Sequence, residues 1–195
     1  MPGLATGVPI GLRELHYALL LTDTTGSVTY GPAVPIIGAI TANINPNPSI
    51  ESLFGDDGPM ETATALGKIE VEFSATNINP DIIAAMLGHT IDETTGVMLY
   101  KSTDTPPWLA FGFKALKSNG KYKYVWLTKG MFSEPETKHE TKSDKIEFQP
   151  GTLKGQFAKR IFDDAWKAVV DEDYSAGALT KAGTWFTKVP GDVSV

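Results

Sequence analysis

The most constraining feature of this chain is a pair of period-two patterns joined by an Asn-Gly dipeptide. Leu109, Phe111, Phe113 and Ala115 alternate with other residues, as do Tyr122, Tyr124, Trp126 and Thr128. Between them lies Lys117-Ser118-Asn119-Gly120. Asn-Gly supplies the positive φ that a tight hairpin turn needs, so the segment predicts two antiparallel strands. Strand-type alternation recurs elsewhere. Leu15, Tyr17, Leu19 and Leu21 share one face of a strand over Glu14–Leu21, the turn Asp23–Gly26 follows, and Ser27–Tyr30 returns. Ile36 to Asn45 is rich in β-branched residues, which favour extended chain. Leu66 to Ser74 puts Ile69, Val71 and Phe73 on one face and Lys68, Glu70, Glu72 and Ser74 on the other.

One helix stands out. Asn79 is a good N-cap, Pro80 suits the first helical position, and Gly88 can close the end. The spacing predicts a helix between them, apolar from Ile82 to Leu87. Pro46 and Pro48 predict the end of the preceding strand, because proline cannot donate to a ladder. Residues 46–65, with Ser49–Thr64 at their centre, therefore read as a long loop; Leu53 and Phe54 beside Asp56 and Asp57 give it the character of a docking loop. Residues 1–12 read as an N-terminal arm and 161–195 as a C-terminal arm anchored by Trp185 and Phe186. Glu134–Lys145 reads as a charged loop, with strands near Ile146–Phe148 and Leu153–Phe157. Residues 163–171 suit a short helix or a strand equally. The expected fold is mainly β: residues 1–195 as one domain of two packed antiparallel sheets, a sandwich or partial barrel, with one flanking α-helix.

Composition narrows the function. The chain has 195 residues and no cysteine, which excludes disulfides, thiolate metal sites and cysteine nucleophiles. No basic n-region or apolar h-region opens the sequence, and no run is long enough to span a bilayer, so neither export nor a membrane partner is expected. No nucleophile elbow, phosphate-cradling glycine loop or zinc-protease motif is present, so no catalytic, cofactor-binding or metal residue is assigned and no enzyme activity is expected. Adjacent Asp56 and Asp57 lack a base or metal partner, and Glu136, His139 and Glu140 lie in a hydrophilic stretch typical of a solvated loop.

Charge is lopsided. The net charge is −6, but residues 1–100 hold two basic and eleven acidic residues, whereas 101–195 hold fifteen basic and twelve acidic. This is either simple solubility or an acidic surface that meets a basic one, within or between subunits. Lys114, Lys117, Lys121, Lys123 and Lys129 surround Tyr122, Tyr124 and Trp126. Such interleaving can suit nucleic acid, but in a chain that is acidic as a whole the favoured reading is that the aromatics fill a core and the lysines guard a sheet edge. Glu70 and Glu72 form either a solvated face or an acidic wall.

Three segments carry a family resemblance. Gly11-Leu12-Arg13-Glu14-Leu15-His16-Tyr17-Ala18-Leu19-Leu20 resembles the first strand of the major tail tube proteins of long, non-contractile-tailed bacteriophages. Leu53-Phe54-Gly55-Asp56-Asp57-Gly58, then Glu61 and Gly67 to Glu72, is similar to that family's long-loop region. Lys129 to Pro135, followed by Thr141 to Gln149, resembles its second-half signature. The resemblance spans about residues 10–160. It implies a structural virion protein of siphophage type, with hexameric rings stacked head to tail, assembled in the host bacterial cytoplasm. Its channel would conduct DNA without sequence-specific binding. A tape measure protein and tail terminator or distal tail proteins are the implied partners. Lys68, Glu70 and Glu72 become candidate channel-facing residues; Leu53, Phe54, Asp56 and Asp57 become a candidate inter-ring loop. With four strands per subunit, about 24 strands spaced ~4.8 Å and tilted ~40° give a backbone diameter near ~48 Å, wide enough for a DNA duplex. A tube of a contractile tail or of a gene transfer agent shares these features. A carbohydrate-binding β-sandwich is the alternative of another class, and Trp108 or Trp126 exposed on a flat face is its expected mark.

Overall fold

The computed structural model describes residues 7–55, 58–76, 78–135 and 151–193. In chain order the elements are β1 (Pro9–Asp23), β2 (Val28–Tyr30), β3 (Val34–Ile36), β4 (Ala39–Gly55), β5 (Gly58–Ala75), α1 (Pro80–Leu87), β6 (Thr90–Ile91), β7 (Met98–Leu99), β8 (Leu109–Lys117), β9 (Tyr122–Ser133), β10 (Gly151–Ala158), β11 (Lys167–Asp171) and α2 (Ala176–Gly183). The chain is mainly β and every pairing is antiparallel, as the alternation requires. Nine strands form one sheet along the path β2-β1-β8-β9-β10-β5-β4, with β3 beside β1 and β11 beside β9; β6 and β7 form a small second sheet.

The large sheet rolls around its apolar face. Leu15 and Tyr17 of β1, Phe111 and Phe113 of β8, Val125 and Leu127 of β9, Leu153 and Phe157 of β10, and Ile69, Val71 and Phe73 of β5 all enter one core. Strand β4, at the end of the path, comes back into contact with β1. Four phenylalanines from four strands hold the centre. Phe73 stacks on Phe111 with centroids 4.9 Å apart, and Phe132 meets Phe73, Phe111 and Phe157 edge-on at 5.2, 5.4 and 5.6 Å. Helix α1 forms where its caps predict, with Asn79 Oδ1 accepting from the Asp81 amide, and lays Met86 and Leu87 on this core.

Three corrections to the sequence reading concern the arms and loop. Residues 46–65 are not a loop: β4 runs on to Gly55 and β5 starts at Gly58, paired throughout. The prolines are tolerated because, among the described residues, β4 is an edge strand that pairs only with β5, and the register shifts between Pro46 and Pro48. Strand β1 begins at Pro9, so it takes up part of the expected N-terminal arm. The C-terminal arm holds β11 within the undecided 163–171 stretch and a second helix, α2, capped by Ser175. The expected strand at Ile146–Phe148 lies outside the described residues.

The C-terminal segment covers the outer face of β1, β8 and β9. Trp185, Val189 and Phe186 pack with Ala18, Ala110, Trp126 and Tyr124 in a second core. Phe186 stacks on His16 at 4.0 Å, and the Trp126 indole donates to the Trp185 carbonyl at 3.0 Å. Buried Arg160 fixes the far end: it grips Asp163 through two bonds of 2.6 Å and donates to the Pro190 carbonyl at 2.7 Å.

Part of the charge asymmetry is met within the chain. Acids of the first half meet bases of the second in Glu14–Lys114 (2.6 Å), Asp23–Lys129 (2.7 Å) and Glu72–Lys154 (3.6 Å). Lys117 is buried between Asp171 and Asp173, each 2.7 Å away. Three of the five clustered lysines are thus ion-paired, and Trp126 is fully buried. The core-and-edge reading of that cluster therefore prevails over nucleic-acid binding.

Two outcomes are expected. Gly112 lies opposite Trp126, and an added Cβ would sit 2.7 Å from its ring. Gly112→Ala should lower stability by about 1–3 kcal/mol in urea titrations. Asp23 is partly desolvated, which pushes its carboxyl up, but Lys129 and the amides of Ile161 and Phe162 outweigh this and hold it below its usual 3.8. Its stabilisation is full above that usual value and disappears as pH falls through the lower folded one. Asp23→Asn should therefore destabilise at pH 7 and converge with the parent protein in acid, as read by thermal melts across pH 2–7.

Candidate channel face and projecting ribbon

The outer surface of the sheet has two regions, separated by a β-bulge in β9. Leu109 pairs with Gly130 but Phe111 pairs with Leu127, so β9 holds one extra residue. Before the bulge, Tyr124 and Trp126 point outward beneath the C-terminal segment. After it, Lys129, Met131 and Ser133 alternate outward while Phe132 turns into the core. From there β9, β10, β5 and β4 present an uncovered polar face.

Register sets its composition. One row across the four strands reads Ser133, Lys154, Glu72, Asn43, and the next reads Met131, Gln156, Glu70, Asn45. These residues line a groove of about 740 Å³ with Pro106 and Trp108 along its side. Lys68 lines an adjoining groove with Gln156 and Trp108. Lys68, Glu70 and Glu72 therefore share one face, as their spacing requires. That face is not an acidic wall, however. Lys154 lies 3.6 Å from Glu72 in a solvent-exposed pair worth little energy, and two lysines balance two glutamates across β5 and β10. The β4 contribution is asparagine, and no excess of cations is available to neutralise phosphate.

The sequence reading missed Asn43, Asn45, Lys154 and Gln156. Alternation was visible for β10, where Thr152, Lys154 and Gln156 interleave with Leu153, Gly155 and Phe157. What placed β10 beside β5 is long-range pairing, which no local pattern encodes. Trp108 is partly exposed, but it forms the side of a groove and the Lys129 ammonium sits 5.0 Å above its ring.

The second feature is backbone geometry. Strand β10 pairs with β5 only from Ala75 to Ile69. Beyond that, β4 and β5 continue as a two-stranded ribbon from Pro48–Leu66 to Gly55–Gly58. Pro46 to Gly55 spans about nine residues at ~3.4 Å each, so the ribbon extends roughly 30 Å past the four-stranded region. Among the described residues, no other strand of the chain pairs with it. Leu53 pairs with Glu61 and Phe54 with Pro59 near its end; Asp56 and Asp57 lie outside the described residues.

Among the described residues, no group of three or more histidine and carboxylate side chains is arranged to hold a metal ion. Glu136, His139 and Glu140 lie outside the described residues. No helix among the described residues is long and apolar enough to cross a membrane.

No curated protein matches the chain. A family model does: residues 21–174 match the family described as phage tail tube protein. That span covers β1 from Leu21 through β11 and includes both the polar face and the ribbon. The chain is therefore a member of the phage tail tube protein family, a structural component of the virion tail.

Proposed function

We propose that this protein is the major tube subunit of a long, non-contractile phage tail, forming hexameric rings that stack into a channel for DNA. The observation that carries this reading is the ribbon of β4 and β5. An isolated two-stranded hairpin is marginally stable in water, and its open edges invite another chain. A neighbouring subunit is the natural partner, and a head-to-tail contact of this kind propagates without closing on itself. The ribbon, with Leu53, Phe54, Asp56 and Asp57 toward its end, is the inter-ring contact in this reading.

The face of β9, β10, β5 and β4 is the channel lining. Balanced Lys68, Lys154, Glu70 and Glu72 among asparagine and glutamine keep it wet and give phosphate no net attraction, so DNA slides rather than binds. Assembly takes place in the host bacterial cytoplasm, where a chain without cysteine needs no oxidising compartment. A tape measure protein sets the length, and terminator and distal tail proteins close the ends.

Four experiments test this. Negative-stain microscopy of the purified protein should show rings or tubes. Replacing Ser49–Thr64 with a two-residue turn should leave a folded subunit by circular dichroism that no longer polymerises; normal tubes from that variant would refute the contact. In a tube reconstruction, Lys68, Glu70, Glu72 and Gln156 should face the lumen. The double variant Glu70→Lys/Glu72→Lys should slow DNA ejection at low salt, with recovery as salt screens the added charge. Outward-facing side chains, or ejection indifferent to the reversal, would sink the channel assignment.

A further inference from the structure

A second cluster of charge lies away from the polar face. His89 follows the C-cap of α1 and is almost fully buried. Its Nδ1 is 2.8 Å from Asp104 Oδ2, and its Nε2 is 2.9 Å from Glu134 Oε2. The Tyr100 ring lies against it at 4.3 Å between centroids. Asp104 precedes β8, Glu134 directly follows β9, and Tyr100 follows β7, so one imidazole ties three separate parts of the chain together. The excursion from Gly88 to Pro106 carries the small β6–β7 sheet; Leu99 of β7 and the flanking Val97 and Tyr100 are more than half exposed. Among the charged groups around the ring, Asp104 and Glu134 face it directly, and the Lys101 amide donates to Asp104 Oδ2 at 2.9 Å.

Two carboxylates can both be held only when both ring nitrogens carry hydrogen. A neutral imidazole has one donor and one acceptor. After loss of a proton, one carboxylate faces a nitrogen lone pair and must move. The structure says which one. Asp104 is 12 % exposed and also holds the Lys101 amide, whereas Glu134 is 54 % exposed and can turn to water.

We propose that His89, Asp104 and Glu134 form a proton-operated latch that fastens the Gly88–Pro106 excursion and its β6–β7 sheet to the end of β9. The doubly protonated ring closes the latch, and its deprotonation releases Glu134 while Asp104 stays bound. This holds independently of the tube reading. Burial alone pushes the imidazole down, but hydrogen bonds from Asp104 and Glu134 override it and raise its pKa above 6.5. The contribution is then full below 6.5 and is lost as pH rises through the higher folded value.

The test is an NMR titration of the full chain with hydrogen exchange at pH 6 and pH 9, expressed as protection factors. The His89 resonance, assigned by its absence in His89→Gln, should titrate above 6.5. Protection of the Asp92, Lys101 and Asp104 amides should fall about tenfold between the two pH values, the scale of one hydrogen bond to a charged group. Glu134→Gln changes an exposed side chain, so it tests the latch even where His89→Gln folds poorly. It should lower the His89 midpoint and remove the pH step. A His89 midpoint at or below 6.5, unchanged protection between pH 6 and 9, or a step retained in Glu134→Gln overturns the proposal.

Discussion

The fold depends on aromatic rings lying directly over glycines. Trp126 faces Gly112, Phe157 faces Gly130, and Phe132 faces Gly155, each pair in register across neighbouring strands. A Cβ at Gly112 or Gly155 would come within 2.7 or 2.6 Å of its nearest neighbour, and Gly130 is tighter still. Glycine in mid-strand normally weakens a sheet. Here each one admits a large ring flat against the backbone, and the ring restores the lost contact. On the inner face Phe132 then meets Phe73, Phe111 and Phe157 at 5.2 to 5.6 Å, so four strands are locked around one aromatic centre, while Trp126 packs on the outer face under the C-terminal segment. The sheet curls because its densest packing is on one face.

The bulge in β9 turns that single sheet to two purposes. On one side of it the outer residues are aromatic and take a permanent cover from the C-terminal segment. On the other they are polar and remain open. One extra residue reverses which side chains point outward, so a continuous strand serves an internal packing surface and a water-facing one. The ribbon of β4 and β5 extends the same sheet beyond the point where other described strands pair with it. The tube subunit proposed above would use both surfaces: a rigid body closed by its own arm, and sheet edges left open for copies of itself.

Electrostatics follow the same division. The most buried ion pairs join distant parts of the sequence, Asp23 to Lys129 and Lys117 to Asp171 and Asp173, and a local pair, Arg160 to Asp163, sits beside the C-terminal cover. They take up three of the fifteen basic residues of the second half. What remains on the polar face is balanced, and the surplus acid of the chain includes Glu51, Asp56, Asp57 and Glu61 along the β4–β5 segment.

The sequence by itself determined the strand content, the Asn119–Gly120 turn, the capped helix α1 and the shared face of Lys68, Glu70 and Glu72. All of these rest on interactions within a few residues: period-two burial, positive φ at glycine, and capping of orphan amides. It misjudged residues 46–65, because the rule that proline ends a strand does not hold on an edge, and edge position is a property of the whole sheet. It also could not see that Lys154 neutralises Glu72, or that Asn43 and Gln156 complete the face. Only the tertiary structure decided those points, because they depend on which strands pair across roughly 30 to 80 residues of intervening chain, and such pairing is chosen by the fit of side chains in a common core.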